Sequence, residues 1–140
     1  MRILVGDDDN ATRVCLAKIL SPAGEVVSVA DGKEALEALA QALEEESPYQ
    51  LVCMDICMPK LDGLEALKAL RALESRHQVP AGQEAKVVMV SSCDDTGSVC
   101  DAYFHGLADG YVKKPVRMTS FWDELKRLGL FIPETHSHTG

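Results

Sequence analysis

Leu51-Val52-Cys53-Met54-Asp55 is a run of four apolar residues closed by an acid. A strand with one face in water alternates apolar and polar residues, whereas a strand covered on both faces, as in a parallel sheet, has no need to. Working outward from it, Ile3-Leu4-Val5, Val26-Val27-Ser28-Val29, Val87-Val88-Met89-Val90 and the weaker Tyr111-Val112 are of the same kind. The stretches between them carry a helical period. In 11–20, Cys15, Leu16, Ile19 and Leu20 share a side. In 33–46, Leu36, Leu39, Ala40 and Leu43 recur, leaving Lys33, Glu34, Glu37 and Glu44-Glu45-Glu46 to solvent. In 62–75 the stripe is Leu64, Leu67, Leu70 and Leu73; 95–108 is a fourth helix, and 117–128 a fifth with Phe121, Leu125 and Leu128 inward. Ser21-Pro22-Ala23-Gly24, Ser47-Pro48 and Pro80-Ala81-Gly82 punctuate these elements, and 77–85 is the one long connection. The order is (βα)5, which predicts an α/β, doubly wound, five-stranded parallel sheet with helices on both faces. In such a sheet the functional crevice lies at the carboxyl ends of the strands.

Composition narrows the function. A chain of 140 residues, 46% hydrophobic, has room for one core; a single domain over 1–130 is expected, with 131–140 a disordered tail that is polar from Glu134 onward. A net charge of −8 and the lack of a Lys/Arg cluster argue against nucleic-acid binding. No apolar stretch approaches the ~18 residues of a membrane span, and Ile3-Leu4-Val5 is too short for a signal peptide. The five cysteines form no CxxC pair and suit reduced thiols in the cytoplasm.

The strand ends carry the chemistry. The first runs into Asp7-Asp8-Asp9, the third into Asp55, the fourth into Ser91-Ser92 and the fifth into Lys113-Lys114-Pro115. Helix capping accounts for Asp9 or Asn10, but not for Asp55 within Met54-Asp55-Ile56. Three converging carboxylates repel one another, and a hard divalent cation with oxygen ligands such as Mg²⁺ relieves that repulsion. A lysine and a small hydroxyl beside them can hold phosphoryl oxygens. The set is competent for phosphoryl transfer to a carboxylate nucleophile.

In order along about residues 2–128, four blocks resemble those of response-regulator receivers. They are Ile3-Leu4-Val5-Gly6-Asp7-Asp8-Asp9, Met54-Asp55-Ile56-Cys57-Met58-Pro59-Lys60-Leu61-Asp62-Gly63, Val88-Met89-Val90-Ser91-Ser92 and Asp109-Gly110-Tyr111-Val112-Lys113-Lys114-Pro115. The resemblance implies a flavodoxin-like strand order 2-1-3-4-5 and makes Asp55 the phospho-acceptor. Asp8 would bind Mg²⁺ directly, Asp7 through water, and Cys57 through its backbone carbonyl. The Ser91 hydroxyl and the Lys114 ammonium would bond the phosphoryl group, and Ser91 and Tyr111 would form the conformational switch. The Lys114-Pro115 bond is expected to be cis. The implied donor is a sensor histidine kinase or phosphotransfer protein, and the output a downstream protein contact, with Trp122 near the core edge or facing outward as a possible hot spot. A stand-alone, non-enzymatic receiver is expected; the alternative is a module of a hybrid kinase or of a regulator with an output domain.

This chain departs from the pattern at Gly6, which should loosen the first strand's end, and at Leu107, with Gly106 one place early. His77 and His105 read as ordinary surface residues; His136 and His138 could hold a metal in principle, but an i, i+2 pair with no other ligand is weak evidence for one. Cys57 and Cys93, each two residues beyond a site residue, would tune hydrolysis of the acyl phosphate, a redox role being the rival reading. A haloacid-dehalogenase enzyme needs Asp-x-Asp, but Cys57 occupies the second position. A flavodoxin-like electron carrier needs a phosphate loop where Gly6–Asn10 is acidic.

Overall fold

The computed structural model describes residues 1–56, 63–91 and 107–130. Its strands are β1 (Arg2–Gly6), β2 (Glu25–Val29), β3 (Leu51–Asp55), β4 (Lys86–Ser91) and β5 (Gly110–Lys113). Its described helices are α1 (Asn10–Leu20), α2 (Gly32–Glu44), α3 (Gly63–Arg76) and α4 (Met118–Arg127). The sheet runs β2-β1-β3-β4-β5, the order that the resemblance implies, and every pair is parallel, as the apolar runs predict. The helix expected over 95–108 falls largely outside the described residues, as does the tail from 131.

Alternate residues of each strand serve opposite faces. Ile3, Val5, Leu51, Cys53, Val88 and Val112 pack with Leu16, Ile19 and Leu20 of α1 and with Phe121, Trp122 and Leu125 of α4. Leu4, Val52, Met54, Val87 and Met89 meet Ala35, Leu39 and Ala42 of α2 and Ala66, Leu67 and Leu70 of α3. This double cover is why the central β3 carries no polar residue until Asp55 at its end.

Three expectations change. In α2 the buried line is Ala35, Leu39 and Ala42, while Leu36, Ala40 and Leu43 are half-buried. The helix turns its small residues to the sheet and leaves larger ones toward its margins, where it packs beside α3. Gly6 does not loosen β1, because it pairs with Val29 and Met54 and the Asp7 N–H then donates to the Val29 carbonyl at 3.1 Å. Trp122 is not an outward hot spot. It is 5% exposed, because α4 buries the adjacent Phe121 and Trp122 along with Leu125, an arc wider than a single ridge.

The end of the sheet opposite the acids is tied by Arg71 on α3. Its guanidinium donates to Glu74 (2.7 Å), Asp109 (3.2 Å) and the carbonyls of Ala85 (2.9 Å) and Leu107 (3.0 Å). Glu74, 5% exposed, also accepts the Ala85 N–H at 2.7 Å, and Asp109 accepts that of Val87 at 2.9 Å. Helix α3, the start of β4 and the entry to β5 are thereby held together. Removing one member of such a network leaves buried polar groups without partners. Glu74→Ala is expected to cost about 3–5 kcal/mol in urea unfolding, against less than about 1 kcal/mol for Glu65→Ala in the exposed Glu65–Lys68 pair. Equal effects would show that the Arg71 network contributes no more than a surface ion pair.

Candidate functional site

Asp7 follows β1 and is fully buried, whereas Asp8 beside it is exposed. The backbone turns sharply there: the Asp7 carboxylate accepts the Asp9 N–H at 2.8 Å, and its carbonyl accepts from Arg13 at 2.7 Å. Asp9 is the N-cap of α1, accepting from the Thr12 N–H at 3.2 Å and hydroxyl at 2.5 Å. Chiefly through the Thr12 hydroxyl, its carboxyl is held below the ordinary carboxylate range. Capping therefore explains Asp9 and leaves Asp7 and Asp8 to the site.

Asp55 closes β3 and is 6% exposed. Its backbone lies against the start of α3: the Gly63 N–H donates to the Ile56 carbonyl at 2.8 Å, and a Cβ on Gly63 would stand 2.1 Å from the Asp55 carbonyl oxygen. Only glycine permits that approach. From the far side of β4 comes Lys114, which follows β5 and is joined to Pro115 by a cis bond. Its ammonium lies 2.8 Å from Asp7 Oδ2 and 3.2 Å from Asp55 Oδ2.

The structure thus gathers Asp7, Asp8, Asp55 and Lys114. One ligand oxygen from each acid lies within 4.8 Å of the others. Cys57 and the side chain of Ser91 lie outside the described residues, as do Cys93 and His105, although the Ser91 backbone ends β4. Tyr111 is half-buried on β5 against the cluster that includes Leu107, and Lys113 is exposed. Trp122 is buried on the opposite face of the sheet and takes no part in the crevice. Reading the sequence missed Arg13 and the role of Gly63. Arg13 had a weak signal, a cation one turn into the helix that leaves an acidic loop. Gly63 closes the second of the resembling blocks, but the reason for a glycine there, contact with the Asp55 carbonyl, shows only in the fold.

Three carboxylates against one ammonium leave an excess of negative charge, held on hard oxygen donors. That donor chemistry fits a small divalent cation such as Mg²⁺, bound by few protein ligands and completed by water or phosphate. Burial favours deprotonation of Lys114, but the hydrogen bonds and charges of Asp7 and Asp55 outweigh it and raise its pKa above the ordinary lysine value. A raised folded-state pKa gives stability that is complete below the ordinary lysine range and is lost as pH climbs through the raised value. The difference in unfolding free energy between wild type and Lys114→Ala should therefore be flat near pH 9 and shrink at higher pH, followed by urea titration. A difference that grows with rising pH would mean that burial dominates.

The sequence profile described as "Response regulator receiver domain" matches residues 3–126. The sensory/regulatory protein RpfC of Xanthomonas campestris pv. campestris is 34% identical over 131 residues, which are 93% of this chain and 17% of that protein. The response regulator MprA of Mycobacterium ulcerans is 34% identical over 129 residues, 91% of this chain and 50% of that protein. The chain therefore spans half or less of the length of these curated relatives. Among solved structures, the receiver domain of the Arabidopsis thaliana histidine kinase CKI1, complexed with Mg²⁺ and BeF3⁻, matches with a TM-score of 0.77 at 25% identity, covering 91% of this chain and 89% of that one. The Vibrio cholerae chemotaxis protein CheY4 matches at 0.71 and 26%, covering 90% and 96%. With its five-stranded order, its acid cluster and this match over nearly its whole length, the chain belongs to the response regulator receiver domain family of two-component systems.

Proposed function

We propose that this chain is a phospho-accepting switch in which Asp55 takes a phosphoryl group from the phosphohistidine of a sensor histidine kinase or phosphotransfer protein. The observation that carries the reading is the Lys114 ammonium set between Asp7 and Asp55, with Asp8 in the same cluster. An Asp55 oxygen forms the new bond to phosphorus as the phosphorus–nitrogen bond to histidine breaks, and the electron pair leaves with the imidazole. The product is an acyl phosphate. Lys114 exchanges a carboxylate partner for a phosphoryl oxygen, placing a fixed positive charge where negative charge accumulates. Asp8 and Asp55, with Asp7 through water, would hold Mg²⁺, the Cys57 carbonyl being a further ligand by likeness to the family. When bound, Mg²⁺ would neutralise phosphoryl charge and bring a phosphoryl oxygen beside the accepting carboxylate.

Output follows from the same atoms. The phosphoryl group adds negative charge and acceptor oxygens. Ser91 and Lys114 would be drawn toward it, and Tyr111, half-buried on the edge strand, would change its packing and bias a protein-binding surface. Turnover of a separate substrate is no part of this reading, and the work is cytoplasmic. A second reading, a module of a larger kinase or regulator, draws on coverage of 17% of RpfC and 50% of MprA.

Acetyl phosphate with Mg²⁺ should add one phosphoryl group to the wild type and none to Asp55→Asn, as read by intact-mass spectrometry; equal labelling of the two would sink the assignment. Mg²⁺ titration followed by amide chemical shifts should show Asp8→Ala weakening binding by at least about tenfold, and Asp7→Ala by less. Wild-type affinity in Asp8→Ala would remove Asp8 from the metal site.

A further inference from the structure

Strand β5 is only four residues long and lies at the edge of the sheet. Its inner side is registered on β4, from Val88 opposite Gly110 to Ser91 opposite Lys113. Its outer side is gripped from α4. Glu124 Oε2 accepts the Tyr111 N–H at 2.9 Å, and Arg127 donates to the Asp109 carbonyl at 2.9 Å. The two side chains are themselves joined by two bonds of 2.9 Å each. Between the gripped residues stands Gly110, where a Cβ would lie 2.6 Å from Glu124 Oε2. A side chain there would push the carboxylate off the strand. The residue after β5 is Lys114, whose ammonium must reach carboxylates at the ends of β1 and β3.

We propose that Glu124 is a positioning residue: with Arg127 it clasps the outer edge of β5 and so holds the Lys114 ammonium against Asp7 and Asp55. An edge strand has unpaired backbone groups on one side. Here an acceptor and a donor from one helix satisfy two of them at neighbouring positions. The strand is thereby fixed on both sides just ahead of the residue that enters the site. The clasp needs an acceptor oxygen at this point rather than a charge, because Oε2 accepts the Tyr111 N–H and an Arg127 N–H together. Its consequence for phosphoryl transfer rests on the function proposed above, whereas its effect on the Lys114 ion pairs does not.

The test is competitive acetylation of the folded protein by acetic anhydride, with each lysine read by mass spectrometry and the exposed Lys33 and Lys68 as references. In wild type Lys114, with 13% of its side chain exposed and two carboxylate partners, should be protected. Glu124→Ala should raise its relative labelling about threefold or more, since a group that loses two ion pairs becomes reactive. Gly110→Ala should do the same without removing a charge. Glu124→Gln, which keeps an acceptor for the Tyr111 N–H, should stay near wild type. Leu125→Ala, a core truncation on the same helix, should leave Lys114 protected despite lower stability. Unchanged Lys114 labelling in Glu124→Ala and Gly110→Ala, or an equal rise in Leu125→Ala, would overturn the proposal. Acetyl-phosphate labelling should slow about tenfold in Glu124→Ala and recover in Glu124→Gln, as expected for a reacting group moved by a fraction of an ångström. An unchanged rate in a protein whose Lys114 has become reactive would overturn the role in transfer. A wild type that takes no phosphoryl group yet shows the expected labelling pattern would overturn the proposed function and support the clasp.

Discussion

Lys114 reaches across the end of β4 to stand 2.8 Å from Asp7 and 3.2 Å from Asp55, and the rest of the crevice is arranged around that bridge. Two buried carboxylates so close together would be unstable as a pair of ions without a cation to share. The ammonium supplies that charge at the cost of its own desolvation, and its raised pKa shows which influence prevails. It also leaves the cluster with more negative than positive charge, and only Asp8 open to solvent. The site is thus charged enough to attract a divalent cation and ordered enough to exist before one arrives.

That bridge is possible only because of the strand order. Asp7 and Asp8 follow β1, Asp55 ends β3, the lysine follows β5, and β4 lies between. Parallel strands bring all these ends to one edge of the sheet. The apolar layers on both faces hold that edge still, with α1 and α4 on one side and α2 and α3 on the other. Polar contacts then fix what apolar packing leaves free to slide. Arg71 binds the entry of β5 to α3, Arg13 binds the acidic turn to α1, and the Glu124–Arg127 pair grips the outside of β5. Hydrogen bonds of this kind matter more for register than for net stability, because each replaces bonds to water that the unfolded chain also makes.

Much of this was legible in the residues. Continuous apolar runs signalled strands covered on both sides, and the acids and lysine at their ends signalled a charged crevice there. Asp7, Asp8, Asp55 and Lys114 meet as expected. The two misreadings in helices have a common origin in rotation of a helix about its own axis. The α2 period was visible, but not that Ala35 and Ala42 would face the sheet ahead of Leu36 and Leu43. The ridge of α4 was visible, but not that its buried arc would include Trp122. Hydrophobicity fixes the period of a helix more firmly than its phase, because the phase depends on the shape of the surface it meets.

By itself the sequence determined the fold class, the sites of the strand ends and the chemical character of each group placed there, since these depend on local pattern and residue type. The tertiary structure alone decided which oxygens Lys114 would bridge, that Gly63 must be bare because the Asp55 carbonyl passes beside it, and that Glu124 and Arg127 would cap an edge strand. Each of these is a distance between atoms far apart along the chain. Such distances are set by packing the whole sheet between its helices, which no local pattern encodes.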